Sequence, residues 1–200
     1  MNLNEEVAER PATRRRGQEL EDAILDAAWA VLLEKGYSGF TYEAIAAGAG
    51  TSRPVLYRRW PQREDLLLAT LSRSWWQPIP VPDTGSLRED AIELLRSANA
   101  SRSRMGTLLI VQLMDYFRQT GTSFSQLRAA LRGPGQPSGM ARLVDRAVAR
   151  GELPDVPRSA RLIDLPFELF RHDLIMTMHA IPDEAIIEIV DDIWLPLLQR

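Results

Sequence analysis

The chain has no cysteine among its 200 residues and only two histidines, His172 and His179. Without thiols it forms no disulfide, no thiolate metal site and no cysteine nucleophile, and two imidazoles leave little for a histidine-built metal centre. Long apolar runs are missing as well. None approaches the roughly 20 residues that span a bilayer, and Met1 to Glu9 is acidic and polar where a signal peptide would be cationic and then apolar. The expected location is therefore the cytoplasm, with no membrane partner. There is no excess of positive charge either: 24 Lys and Arg face 27 Asp and Glu, for a formal net charge of −3. Such a surface does not bind nucleic acid indiscriminately, so any DNA contact must come from a local patch. Half-buried strands, which would show as sustained apolar–polar alternation, are not evident, and neither is an internal repeat. What is present is 45 % hydrophobic residues in helical periodicity, enough for a real core in an all-α protein.

Punctuation divides that helical pattern. Residues 1–17 are polar, carry Pro11 and Gly17, and read as a mobile arm holding Arg14, Arg15 and Arg16. From Leu20, the positions Ile24, Ala27, Ala28, Val31 and Leu32 recur at helical spacing until Gly36. Thr41 is placed to N-cap a second helix with Glu43 in its first turn, and Gly48 and Gly50 end it. Ser52 is placed to cap a third helix with Pro54 in its first turn; Pro61 stops that one and opens a fourth through Leu66, Leu67, Leu68 and Leu71. The run from Gln77 to Gly85 contains three prolines and cannot be helical. The expected organisation is an arm (1–17), a small helical domain (18–76), a linker (77–86) and a larger helical domain (87–200). In the last of these the expected helices are 87–103, 105–119, 123–150 with a break at 133–137, 159–180 and 183–198.

The segment from Thr41 to Arg63 has the form of a helix-turn-helix: Ala46 is small where two helices must cross, Gly50 tolerates the turn, and Ile45, Ala49 and Leu56 brace. Its flank sharpens the reading. Arg53, Arg58, Arg59 and Arg63 follow one another with no carboxylate between Glu43 and Glu64, although residues 1–75 as a whole carry ten cationic and eleven acidic side chains. Ser52, Arg53 and Pro54 form the N-terminal turn that reaches base edges, while Tyr57, Arg58 and Arg63 lie where phosphates pass. For Val55, bracing and base contact are equally compatible with the pattern.

These residues carry a resemblance. Gly36-Tyr-Ser-Gly-Phe-Thr41, then Ile45-Ala46, Ala49-Gly50, Ser52, Leu56, Tyr57, Trp60, Arg63 and Leu66, resemble the N-terminal domain of the TetR family of bacterial repressors. The family pattern has Phe at position 60 and Lys at position 63; tryptophan keeps the aromatic wedge, and arginine keeps the cation. The resemblance implies that Thr41 and Tyr57 bind phosphates, that Arg63 stands for the family's lysine, and that Arg53 and Pro54 meet base edges, with Arg53 able to fork onto guanine. It further implies a homodimer on a palindromic operator of double-stranded DNA, a small-molecule effector, and no cofactor.

The larger domain is less specific. Arg150-Gly-Glu-Leu153 echoes the same family. Large apolar side chains available to an effector are Trp75, Trp76, Met105, Leu109, Leu113, Phe117, Phe124, Phe167, Phe170 and Met176, with Arg171 as a polar anchor; each also fits a plain core role. His172, His179, Glu168 and Met176 share one helix, but one carboxylate and two imidazoles seven residues apart are a poor ligand set, and no metal is expected. The last helix has more apolar residues than one face needs, so Ile186, Ile187, Val190, Trp194 and Leu198 are expected to meet a second copy, the alternative being a helix central in its own domain. An α-helical enzyme is disfavoured because no Ser-His-Asp, paired-carboxylate or phosphate-cradling arrangement appears. A helix-turn-helix that binds protein is disfavoured by the acid-free basic run, and salt dependence discriminates it from a DNA binder.

Overall fold

The computed structural model describes residues 17–76, 79–133 and 135–199, apart from the side chains of 102–107. Among the described residues there is no strand. The arm with Arg14 to Arg16 and the side chain of Met105 lie outside this description.

Four helices build the N-terminal part: α1 (Gln18–Gly39), α2 (Tyr42–Ala49), α3 (Arg53–Arg59) and α4 (Arg63–Ser74). Gly36 interrupts α1 with φ 62° and ψ −173°, a conformation close to glycine-only, and the chain regains one helical turn beyond it. The turn between α2 and α3 is closed by Gly50 in the left-handed region, φ 63° and ψ 37°. Around it Thr51 N donates to Ala46 O and Gly50 N donates to Ala47 O, the paired bonds of a Schellman motif. Gly48 serves a close approach: a Cβ there would sit 3.3 Å from the Cβ of Ala27 on α1. Ala46, Ala49, Ile45 and Leu56 are all buried, as the bracing set requires.

The remainder comprises α5 (Leu87–Gln112), α6 (Met114–Thr120), α7 (Phe124–Arg132), α8 (Gly139–Ala149), α9 (Ala160–Ile163), α10 (Leu165–Thr177), α11 (Asp183–Glu188) and α12 (Leu195–Leu198). Caps agree with the sequence: Ser86, Ser123, Ser138 and Ser159 each accept a backbone N–H, and Ser123 with Gln126 forms a full capping box. Two helix boundaries differ from the sequence reading. The helix expected to end near residue 103 continues to Gln112 and breaks at Leu113, and the one expected over 159–180 is divided at Asp164, because Pro166 has no N–H and suits only the opening of a new helix.

Between α11 and α12 lies a π-helical segment, Ile189–Trp194, where Leu195 N donates to Val190 O. Pro196 follows at once and cannot donate to an α-type partner, which fits the looser ladder just before it. This winding keeps residues four apart on one side. Ile186, Val190, Trp194 and Leu198 are at most 2 % exposed and fill the protomer's own core. They are therefore turned into the protomer and not to the dimer face that the sequence suggested. Ile187 is half-buried and packs against the same core.

The Arg150-Gly151-Glu152-Leu153 motif is a structural latch. Gly151 has φ 77°, Leu153 is buried, the Glu152 carboxylate accepts from Leu87 N at 2.8 Å, and Arg150 pairs with Asp83 and Glu152 and reaches the fully buried Asp90. Thr84 donates to Asp90 from both N, at 2.6 Å, and Oγ1, at 2.8 Å, so this buried carboxylate is satisfied from the linker side.

Two hydrophobic cores result, and they do not divide where the chain's punctuation does. The first joins α1–α4 to Leu109, Leu113, Tyr116, Leu127 and Leu131 of α5–α7. The second joins the first half of α5 to α8, α10, α11 and the C-terminal segment.

Candidate functional site

On α3 one face is spent on the fold and the other is left to solvent. Leu56 is fully buried, Trp60 nearly so, and Val55 is half-buried against the first core. Arg59, one helical step of about 100° from Arg58, turns back to pair with Glu21 at 2.5 Å and reaches Gly17 O, clamping α3 to α1. Ser52, Arg53, Pro54, Tyr57 and Arg58 are exposed on the opposite face, with no acid in the helix. Arg53 is 3.7 Å from Glu43, both side chains largely in water, so this pair costs little to open. Tyr57, 51 % exposed, lies on Tyr42 with ring centroids 4.1 Å apart, and Tyr42 is itself fixed by donating to Trp60 O at 2.6 Å. A half-exposed tyrosine whose ring lies on a fixed neighbour is well arranged for a phosphate contact.

The two cap positions differ. Thr41 Oγ1 accepts from Ala44 N at 3.2 Å, capping α2 while remaining exposed. Ser52 occupies the N-cap position of α3, but its side chain makes no cap bond, contrary to the sequence expectation. Arg63 also departs from its expected place on the phosphates. Its guanidinium stacks over Tyr37, 3.9 Å from the ring centroid, and Nη2 donates to Gln119 Oε1 at 2.8 Å, so it ties α4 to α1 and α6. Tyr37 is fully buried, donates to Glu64 Oε1 at 2.9 Å, and has its phenol pushed up to about 12, chiefly by burial and then by that carboxylate. Beside it Ser38 donates to Asp115, Gln112 donates to Leu33 O at 3.0 Å, and Tyr116 meets Tyr37 edge-on at 5.2 Å. None of Tyr42, Glu43, Gln112, Asp115 or Gln119 is visible as a site residue in the sequence, because each works through a partner distant in the chain.

At the other end of α4 a cavity of about 460 Å³ opens. Of the expected effector residues, Trp75, Phe124, Phe167, Phe170 and Arg171 line it. Leu109 and Leu113 do not; they are buried in the first core, and Phe117 packs against that core. Met176 is 70 % exposed and also lies off the cavity. Trp76, also expected there, lines it too, whereas the sequence reading missed Arg128, Arg132, Arg142 and Asp164. The i, i+4 arginines at 128 and 132 on a short amphipathic helix were the available signal. Among the described residues no group of three or more metal-capable side chains occurs, and no helix is long and apolar enough to cross a membrane.

Residues 24–70 match the family described as bacterial regulatory proteins, tetR family, and residues 81–193 match the Tetracyclin repressor-like C-terminal domain. The DNA-binding transcriptional repressor TetR of Mycobacteroides abscessus is 32 % identical, with 92 % of this chain and 96 % of that protein covered. A helix-turn-helix-type transcriptional regulator of Mycobacterium tuberculosis is 29 % identical, with 98 % and 96 % covered. Among solved structures, the Flavonoid-responsive Regulator FrrA shares the fold with a TM-score of 0.65 at 21 % identity, covering 92 % of this chain and 98 % of its own. With a C-terminal family match over more than half its length and a helix-turn-helix presenting a basic, acid-free face, this chain belongs to the TetR family of DNA-binding transcriptional regulators.

Proposed function

We propose that the protein is a ligand-responsive repressor that acts as a homodimer on a palindromic operator in the cytoplasm. Ser52, Arg53 and Pro54 face base edges, Thr41, Tyr57 and Arg58 hold phosphates, and Val55 braces the reading helix. The observation that carries this reading is the placement of α4. Its first residue, Arg63, is bound into the DNA-reading head, and its C-cap, Trp75, lines the cavity. An occupant that fits one setting of α4 better than another shifts the population of reading heads; one that fits both equally shifts nothing. Two-fold pairing then fixes two heads about 34–36 Å apart for half-sites one helical turn apart. With Ile186, Val190, Trp194 and Leu198 consumed internally, the exposed apolar side chains left for a second copy include Ile175, Met176 and Met178 around the end of α10, and Leu197.

The test is selection of genomic fragments by the purified protein at physiological salt, with sedimentation to fix the assembly bound. The expected result is one enriched inverted repeat, overlapping a promoter and carrying a dimer. No enriched motif, or a monomer on a single half-site, overturns the reading.

A further inference from the structure

The cavity is apolar in its walls and unbalanced in its charge. Five aromatic side chains line it, together with Arg128, Arg132, Arg142 and Arg171 against one acid, Asp164. Arg171 is paired with Glu168 on its own helix. Arg128 is half-buried and makes no ion pair or hydrogen bond among the described residues. Arg132 stands one turn further along α7, a like-charge i, i+4 pair that costs the isolated helix stability. The guanidinium of Arg128 has its pKa lowered to about 10, first by burial and then by Arg171 and Arg132, with Glu168 and Asp164 opposing, so it stays charged at neutral pH. A second, independent deficit belongs to another residue of the wall. Trp75 is 9 % exposed, and its buried Nε1 donor has no acceptor among the described residues. A cation and an N–H donor left without acceptors in one aromatic-walled cavity are complementary to an anion carried on an aromatic body.

Resting on the reading of this cavity as the effector site, we propose that the effector is an aromatic acid, its rings against the aromatic walls and its carboxylate held by Arg128, with Arg132 and the Trp75 indole N–H in support. Guanidinium suits this role because its planar fork matches a carboxylate, which an ammonium does not.

The test is calorimetric titration of the full-length protein with benzoate, 2-naphthoate and biphenyl-4-carboxylate, each beside its neutral carboxamide. The best carboxylate is expected to bind about tenfold or more tightly than its amide, the loss expected when the anionic acceptor of a guanidinium becomes a neutral one. Arg128→Gln should remove that advantage while leaving amide binding within about threefold, and Arg128→Lys should restore only part of it. Arg132→Gln, with circular dichroism as the fold control, should reduce the same preference to a smaller degree. If amides bind as tightly as acids, or if both Gln variants leave acid binding unchanged, the anion assignment falls while the cavity stands as a binding site. If neither series binds, the cavity loses its standing as effector site as well, and operator selection separately decides the DNA-binding part.

Discussion

Ser52 and Thr41 show how one residue type can hold two different positions in a DNA-reading head. The Thr41 hydroxyl accepts from Ala44 N and keeps its proton to donate, whereas the Ser52 side chain makes no cap bond in α3. Thr41→Ala should therefore lower unfolding stability by about 1 kcal/mol, while Ser52→Ala should stay within about 0.5 kcal/mol of the parent in denaturant titration and still weaken operator binding. Arg53→Ala should cost about 1–3 kcal/mol on the preferred operator and relax preference at one base pair. Equal loss on every sequence would remove Arg53 from base reading. The exposed face of α3 was legible because one helix of seven residues, with a proline in its first turn and an apolar Leu56, leaves few choices. The fates of Arg59 and Arg63 were not. Arg59 is taken by Glu21, and Arg63 by Tyr37 and by Gln119, 56 residues further on, and nothing local announces such partners.

Helix ends were legible where glycine, proline or serine mark them, and the glycine near the end of α1 shows the physical reason. Gly36 has φ 62°, and a Cβ added there would lie 2.8 Å from Gln112 Oε1, whose amide also donates to Leu33 O. Gly36→Ala should thus lower stability by about 1–3 kcal/mol through backbone strain, a midpoint shift readable in urea unfolding. An unchanged midpoint would show that the kink is not required. The break at Leu113 and the π-helical segment before Pro196 escaped the sequence because both depend on packing against other helices. Periodicity counts apolar residues on a helix of fixed winding, so the last helix seemed to own a surplus face. Its actual winding gathers residues four apart into one buried stripe and leaves Leu197 outside it.

At the scale of the molecule, the proline-rich stretch near residue 80 divides the sequence but not the cores. Leu109, Leu113, Tyr116, Leu127 and Leu131 complete the core of α1–α4, and Ser38, Arg63 and Gly36 are held from α5 and α6. Each fully buried large side chain contributes about 1.5–3 kcal/mol, so five together rival the roughly 5–15 kcal/mol that stabilises a whole domain. A fragment of residues 1–76 should therefore lack a cooperative thermal transition, whereas a fragment of residues 1–133, which restores α5–α7 to the first core, should regain one by circular dichroism. A fragment 1–76 as stable as the full chain would mean that the reading head is independent. That outcome would also sever the route described here, since a signal from the cavity reaches DNA only if the helices around it share a core with the helices that read.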